Sequence, residues 1–456
     1  MKKLLLAIMA LLVLIPAIAS AAPGSTLWTA RYRGSGTASK DVVDLGVSPD
    51  GSIVFVTGGS GDATTLTDYA TVAYDAATGT KLWARRYNGP GNSYDLVTDL
   101  SVSLVGSAVF LTGSTYDARE RSDIATVAYD ASTGTRLWVQ RYHGNRDDGA
   151  AALGVSPDGS QVFVSGYSAR LASGLDYLTV AYDAVTGAEL WRKRYDRESH
   201  DNAEGLGVSP DGSAVFVTGT TMPQGESSYA TVAYDAATGA KLWVTRFAHA
   251  RAMARSIAVS PNGSAVFVTG QAFPGEGRVD YMTVAYDGTD GSQLWATRYA
   301  NAGYGPNAPD LGVSADGSAV FLSGVDGGST LTDETDDYAT VAYDAATGAR
   351  LWARQFDGGN GADGAHALGV SPDGSAVFVT GAIEGETNGD YATVAYEAVT
   401  GATLWVKRFD GGNGSGSDYA RAVGVSPDGS AVFVTGDSSS GPGKVYDFLT
   451  VAYSAT

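Results

Sequence analysis

Residues 73–83 read AYDAATGTKLW, and the chain repeats this phrase with few changes from Ala128, Ala181, Ala233, Ala285, Ala342 and Ala395. An eighth copy is divided. The chain reaches AYSAT at Ala452–Thr456, and the missing LW stands near the other end, at Leu27 and Trp28. All eight tryptophans occupy this pair (Trp28, Trp83, Trp138, Trp191, Trp243, Trp295, Trp352 and Trp405), at spacings of 52 to 57 residues. A fixed period of this length marks units that bury their apolar faces against one another.

Each unit carries four strand candidates: A, ending in LGVS; B, AVFVTG; C, DYATVAY; and D, KLWARRY. The links have turn chemistry. In Ser156-Pro157-Asp158-Gly159 the proline presets φ at the second position and the glycine accepts positive φ. Thr78-Gly79 does the same between C and D. Strand B is apolar at successive positions and reads as buried on both faces, whereas D mixes in arginine like an outer, half-wet strand. Four antiparallel strands repeated eight times predict an all-β, eight-bladed propeller. The divided copy predicts its closure: the N-terminal D strand (Leu27 to Tyr32) pairs with the last C strand (Thr450 to Tyr453), leaving no open edge.

The chain has 456 residues, which as isolated cores would suggest several domains. The repeat instead predicts one domain over 22–456. The first 21 residues read as a secretory signal: Lys2 and Lys3, an apolar run from Leu4 to Ile15, and Ala19-Ser20-Ala21 as an A-x-A cleavage site. No later stretch is long enough to span a bilayer. The composition has no cysteine, which excludes disulfides, thiolate metal sites and a cysteine lipid anchor. Without Lys2 and Lys3 there are 28 basic residues against 49 acidic, a net charge of −21. Nucleic acid and anionic membrane surfaces are poor partners for such a chain. The expectation is a monomer, periplasmic or extracellular.

The pattern A-x-D-x-x-T-G-x-x-x-W, clear at Ala73, Asp75, Gly79 and Trp83, resembles the tryptophan-docking repeat of the quinoprotein (PQQ-like) eight-bladed propellers. Glu397 replaces the aspartate in one unit, and Gly288-Thr289-Asp290-Gly291 replaces AATG in another. VSPDGSAVFVTG is also similar to the bacterial β-propeller (SBBP-like) repeats of exported proteins. Together these resemblances cover the chain from residue 22 onward. They imply that each tryptophan docks on the neighbouring repeat, and they imply a fold that hosts both enzymes and scaffolds.

The A–B and C–D turns fall on one face of such a ring and are monotonous. The B–C and D–A segments fall on the other and vary, as in GSGDATTLTD (59–68) against VDGGSTLTDETDD (325–337). Loops on a rigid frame carry specificity, so the variable face is the expected working face. Aligning the units on LGVS exposes a tetrad at the start of strand A. Its second member is always Val or Ala (Val42, Val97, Ala150, Ala203, Ala254, Ala308, Ala365, Ala420), a packing position. Its third is Val43, Thr98, Ala151, Glu204, Arg255, Pro309, His366 and Arg421. Glu204, Arg255, His366 and Arg421 are therefore the candidate binding residues at the mouth of the central channel.

Catalytic motifs are scarce. His143, His200, His249 and His366 occupy different places in their repeats and form no ring of ligands. No G-x-S-x-G elbow occurs. Calcium has two leads: the acidic loop with Asp333, Asp336 and Asp337, and Gly358-Gly359-Asn360-Gly361-Ala362-Asp363, which matches the start of a calcium-binding G-G-x-G-x-D repeat. The recurring Asp-Tyr before strand C (Asp68-Tyr69 and its equivalents) reads as turn capping and packing. The sequence predicts an exported, non-enzymatic scaffold that binds an envelope or extracellular protein or a glycan. No motif calls for a cofactor. The alternative is a PQQ-dependent oxidoreductase, with quinone and Ca2+ as the candidates that the resemblance and the acidic leads supply.

Overall fold

The computed structural model describes residues 21–455 apart from 35–39, 62–65, 118, 120, 145, 172–173, 198–199, 223–225, 248–250, 276–277, 303–308, 328–335, 360, 385–388, 412–415 and 440–444. The described residues form thirty-two strands in eight blades, each ordered A-B-C-D with antiparallel neighbours. Blade one is Lys40–Val47, Ile53–Ser60, Asp68–Asp75 and Lys81–Tyr87. Blades five and six are joined at one bridge, Ala302 to Asp326. The A strands pack around the axis, blade eight against blade one included.

Blade eight is Asp418–Val425, Ala431–Ser439 and Tyr446–Ser454, completed by Thr26–Tyr32 from the other end of the chain. Trp28 pairs with Ala452 there, as Trp83 pairs with Ala73 in blade one. The turn between these strands is rebuilt as well. In blade one the Gly79 amide donates to Asp75 O and the Asp75 amide to Thr80 O, both at 2.8 Å. In blade eight Gly24 N donates to Ser454 O at 2.8 Å and Ser454 N to Ser25 O at 2.9 Å. Gly24 has φ +68°, like Gly79 at +69°. Two chain ends reproduce a turn that seven blades make covalently.

The core lies between blades. Strand B is buried along nearly its whole length, whereas strand D buries its tryptophan and, in four blades, the tyrosine four residues on. Each indole N–H donates to a backbone carbonyl of the next blade. The pairs run from Trp28 to Ala76 (2.8 Å) and Trp83 to Ala131 (3.0 Å) through to Trp405 and Ala455 (3.0 Å). The ring also lies on the next blade's turn glycine. A Cβ on Gly79 would sit 2.6 Å from Trp28, so only glycine fits that approach. On the same face, Asp50 of the SPDGS turn accepts from the Ser48 and Ser52 hydroxyls and the Ser52 amide. These donors hold its carboxyl down at about 2.

Candidate functional site

The third member of the tetrad is a β-bulge. Val42 pairs with Gly58 and Asp44 with Thr57, so Val43 has no partner across the ladder. The same skip falls at Thr98, Ala151, Glu204, Arg255, His366 and Arg421. In blade six Pro309 occupies the position, and the strand starts only at Asp310. A bulge bends its strand and re-aims a side chain. It also brings the A strand down onto B, which accounts for the glycine of each TG. A Cβ on Gly58 would lie 2.2 Å from Asp41 O, and on Gly113 2.1 Å from Leu96 O. The tetrad's second members are buried in all seven of these strands; Ala308 lies outside the described residues.

The four candidate residues form two pairs, on blades four and five and on blades seven and eight. Arg255 reaches Glu204 at 3.6 Å, and Asn202 Nδ2 donates to Glu204 Oε1 at 2.6 Å. Burial raises the Glu204 pKa against the pull of Arg255. His366 Nδ1 donates to Ala420 O at 2.6 Å. Burial and the adjacent Arg421 lower its pKa to about 4, so the ring is neutral at pH 7. Arg421 lies over the Tyr419 ring at 5.6 Å, and its Nε donates to Asp437 at 2.9 Å. Asp437 also accepts from Val42 N at 2.6 Å, which fastens blade eight to blade one. Burial lifts its pKa to about 6.

The tetrad's fourth member, which the sequence reading passed over, adds three carboxyls. Asp44 accepts from Leu100 N of the next blade at 3.1 Å, Asp99 from Leu153 N at 2.6 Å, and Asp310 from Leu368 N at 3.0 Å. Asp44 and Asp99 are hydrogen-bonded to each other. Enclosure by protein raises Asp44 to about 6, helped by Asp310 across the ring, and raises Asp99 well above the usual carboxylate range, with the charge of Asp44 adding to the burial. Two carboxyls in contact share a proton more readily than they both ionise.

The recurring Asp-Tyr does more than cap turns. Tyr177 Oη donates across the blade boundary to Ala230 O, and Tyr391 Oη to Leu449 O, each at 3.2 Å. Asp68 pairs with Arg86 of strand D at 2.6 Å, Asp123 with Arg141 at 2.9 Å, and Asp280 with Arg298 at 2.7 Å. Blade six has Gln355 where the others have arginine. There Asp337 meets Asp357 and Asp363, and in blade seven Asp390 meets Asp410 and Asp418, each trio offering carboxylate oxygens within 4.8 Å of one another. Thus Asp337 of the acidic loop and Asp363 of the GGNGAD stretch fall in one cluster. Asp363 accepts from Gly358 N and Glu384 N, and burial raises it to about 6. All-oxygen trios are the donor type hard cations such as Ca2+ take. Asp336 presents its backbone carbonyl to Asp363 N at 2.6 Å; Asp333 lies outside the described residues. His143 bonds Asp123 in blade two, His200 sits exposed ahead of strand A of blade four, and His249 lies outside the described residues.

The fold and these sites define an eight-bladed propeller of the PQQ-like repeat class. The sequence profile described as "Outer membrane protein assembly factor BamB" matches residues 17–179 and 176–327, more than half of the chain. The chain belongs to that family. Comparison with curated proteins finds no match. Among solved structures, Sqt1 of Chaetomium thermophilum, bound to the N-terminus of ribosomal protein L10, superposes with a TM-score of 0.60 at 13% identity, covering 94% of this chain and 100% of that one. The quinohemoprotein alcohol dehydrogenase of Comamonas testosteroni superposes at 0.57 and 13% identity, over 94% of this chain and 76% of that one. BamB of Moraxella catarrhalis gives 0.41 at 16% identity, over 81% and 84%. At these identities the likeness to the first two is one of fold.

The axial residues do not fit the quinone of such dehydrogenases. That cofactor is a tricarboxylate. Asp44, Asp99 and Asp310 would oppose it, and Arg255 and Arg421 are each already paired with a carboxylate.

Proposed function

We propose that the chain is an exported, non-enzymatic propeller scaffold that holds an envelope or extracellular protein or a glycan on the face formed by its B–C and D–A connections. The single observation behind this reading is the asymmetry of the two faces. On one, blade after blade repeats nearly the same turns, most of them bonded by an aspartate, under the preceding blade's tryptophan. On the other, the connections differ in length and charge from blade to blade. The membership in an outer-membrane assembly family and the signal-like residues 1–21 are in keeping with a place in the envelope. Among the described residues no helix is long and apolar enough to cross a membrane.

The test is capture of partners from the source's envelope and culture fluid, with crosslinking and mass spectrometry. The bait is the chain from residue 22, beside a variant with Glu204, Arg255, His366 and Arg421 changed to alanine and checked for folding by circular dichroism. Crosslinks on the B–C and D–A connections, lost in the variant, are expected. Crosslinks confined to the SPDGS turns would overturn the choice of face. Dye-linked oxidation of alcohols or sugars after adding quinone and Ca2+ would replace the scaffold with an oxidoreductase.

A further inference from the structure

Between blades two and three a cavity of about 750 Å³ opens along the outer edge of the variable face. Its walls include Tyr142, His143, Arg146, Arg170, Arg192 and Arg194, and among the described residues no aspartate or glutamate lines it. In a chain of net charge −19 this is a local inversion of sign.

Three departures from the repeat converge to make it. The residue after each tryptophan is Thr29, Ala84, Val139, Val244, Ala296, Ala353 or Val406, and only blade three has a charge there, Arg192. Its guanidinium lies 5.0 Å over the Tyr142 ring. The B–C hairpin of blade three is drawn out, with strands Gln161–Arg170 and Gly174–Asp183 of ten residues against eight in blade one. It carries Arg170 and leaves Leu171 86% exposed at its end. The D–A connection supplies Arg146. Lys193 also borders the cavity, with its side chain running against the Gly239 turn.

The acids nearby do not cancel these cations. Asp176 is shared by Arg194 at 3.3 Å and Arg170 at 3.7 Å. Among the described residues Arg192 has only Glu189 at 3.6 Å, an exposed pair. Arg146 has no carboxylate within 4.0 Å among the described residues. Arg194 is fixed by Tyr142 Oη at 2.7 Å, Ser168 Oγ at 2.6 Å and Asp176 at 3.3 Å, which occupy its terminal N–H groups, so it adds a fixed positive charge rather than free donors. Guanidinium groups recognise carboxylate and sulfate through paired N–H donors and offer a flat face for stacking. The volume is that of a small-molecule site.

The geometry points to this cavity as a subsite for an acidic saccharide: one or two sugar rings bearing carboxylate or sulfate. The rings lie against the Arg192–Tyr142 stack and Leu171, and the anions meet Arg146 and Arg170 in the positive field of Arg194. This rests on the glycan branch of the proposed function and specifies its chemistry.

Isothermal titration of the purified chain with a sulfated uronate disaccharide, with a neutral disaccharide and with inorganic sulfate tests it. Arg192→Ala restores the residue type of the other blades, and Arg146→Ala removes an unpaired side chain, so both variants keep the fold. The expected result is saturable binding of the charged disaccharide alone, weakened at least tenfold by each substitution and further by raising salt. Lys81→Ala with Arg136→Ala, which removes two cations from the opposite face, should leave the affinity unchanged. No saturable binding, equal binding of inorganic sulfate, or equal loss in the Lys81/Arg136 variant would overturn the subsite. The protein-partner capture decides the scaffold separately. A partner still held by the Arg146/Arg192 double variant, with no saccharide bound by either protein, removes the subsite and leaves the scaffold standing.

Discussion

Replacing Trp28 by alanine tests the closure of the ring more directly than any other change. Trp28 belongs to the strand brought from the far end of the chain, yet its surroundings copy those of Trp83. Both rings are nearly buried, at 8% and 6% exposure. Their N–H groups donate to Ala76 O at 2.8 Å and Ala131 O at 3.0 Å. Trp28 packs on Phe433 at 5.8 Å and Tyr74 at 6.3 Å, and Trp83 on Phe55 at 5.8 Å and Tyr129 at 6.2 Å. Truncating a buried tryptophan to alanine costs about 3–5 kcal/mol. Leaving a buried carbonyl unpaired adds about 1 kcal/mol. Each variant should therefore lose about 4–6 kcal/mol, and the two losses should agree within about 1 kcal/mol. Trp28→Phe, which loses the hydrogen bond and the smaller ring of the buried indole, should cost about 2–3 kcal/mol, less than Trp28→Ala. Urea unfolding followed by far-ultraviolet circular dichroism reads all three. A Trp28→Ala loss below about 1 kcal/mol beside a full loss for Trp83→Ala would show a seam frayed in solution, and the closure would be wrong.

Stability should peak in mild acid. Asp44, Asp201, Asp363 and Asp437 are raised to about 6, so the folded chain holds their protons more tightly; that contribution is present below about 4 and lost as pH rises through 6. The turn aspartates Asp50, Asp158, Asp211, Asp316 and Asp373 are lowered to about 2, and their contribution is lost only as pH falls from about 4 towards 2. Tm measured from pH 3 to 8 should be highest near pH 4–5; a steady rise from pH 5 to 7.5 would contradict these shifts. Gly113→Ala should cost about 1–3 kcal/mol because its Cβ would meet Leu96 O, which the bulged backbone cannot withdraw; unchanged urea midpoints would remove the bulge argument. Gln355→Arg restores in blade six the cation that pairs with the strand-C aspartate elsewhere, beside the unrelieved Asp337, Asp357 and Asp363, and should raise stability by about 1 kcal/mol at pH 7. An unchanged or lowered Tm would show those carboxyls to be neutralised otherwise.

The architecture was legible because its signals repeat. Eight tryptophans at one place in the unit, and a phrase cut between the two ends, leave little choice of topology. The turn of blade eight was only half read: Leu27 and Trp28 were visible as the missing pair, but Gly24 and Ser25 as substitutes for Gly79 and Thr80 were not, because PGST does not look like AATGT. The site was less legible, for a related reason. The tetrad's third member stood out as variable, but its bulge follows from the glycine of TG on the neighbouring strand. Read along the chain, that glycine looks like the end of an apolar run. Asp437 escaped notice because the two groups it joins, Arg421 and Val42, lie far apart in sequence. Arg192 could have been found by setting the eight residues that follow tryptophan side by side.

The two faces also differ in where the energy of the ring resides, and this bears on what each can do. The tryptophan hydrogen bonds, the turn glycines beneath the indoles and the aspartate-bonded turns all gather at the A–B and C–D side. Each of these contacts links one blade to itself or to the next. A change in a B–C or D–A connection leaves that belt intact. On the variable face the comparable fixtures are the Asp–Arg pairs between strands C and D, and departures from them coincide with unusual local chemistry. Gln355 in place of arginine leaves the Asp337–Asp357–Asp363 cluster without the cation that the matching cluster of blade seven keeps in Arg408. In blade three the pair is kept, but Asp176 is divided between Arg194 and Arg170, and the surplus of positive charge opens towards solvent. A propeller built this way can install an acidic pocket on one blade and a basic one on another, while the closure of the ring is held elsewhere.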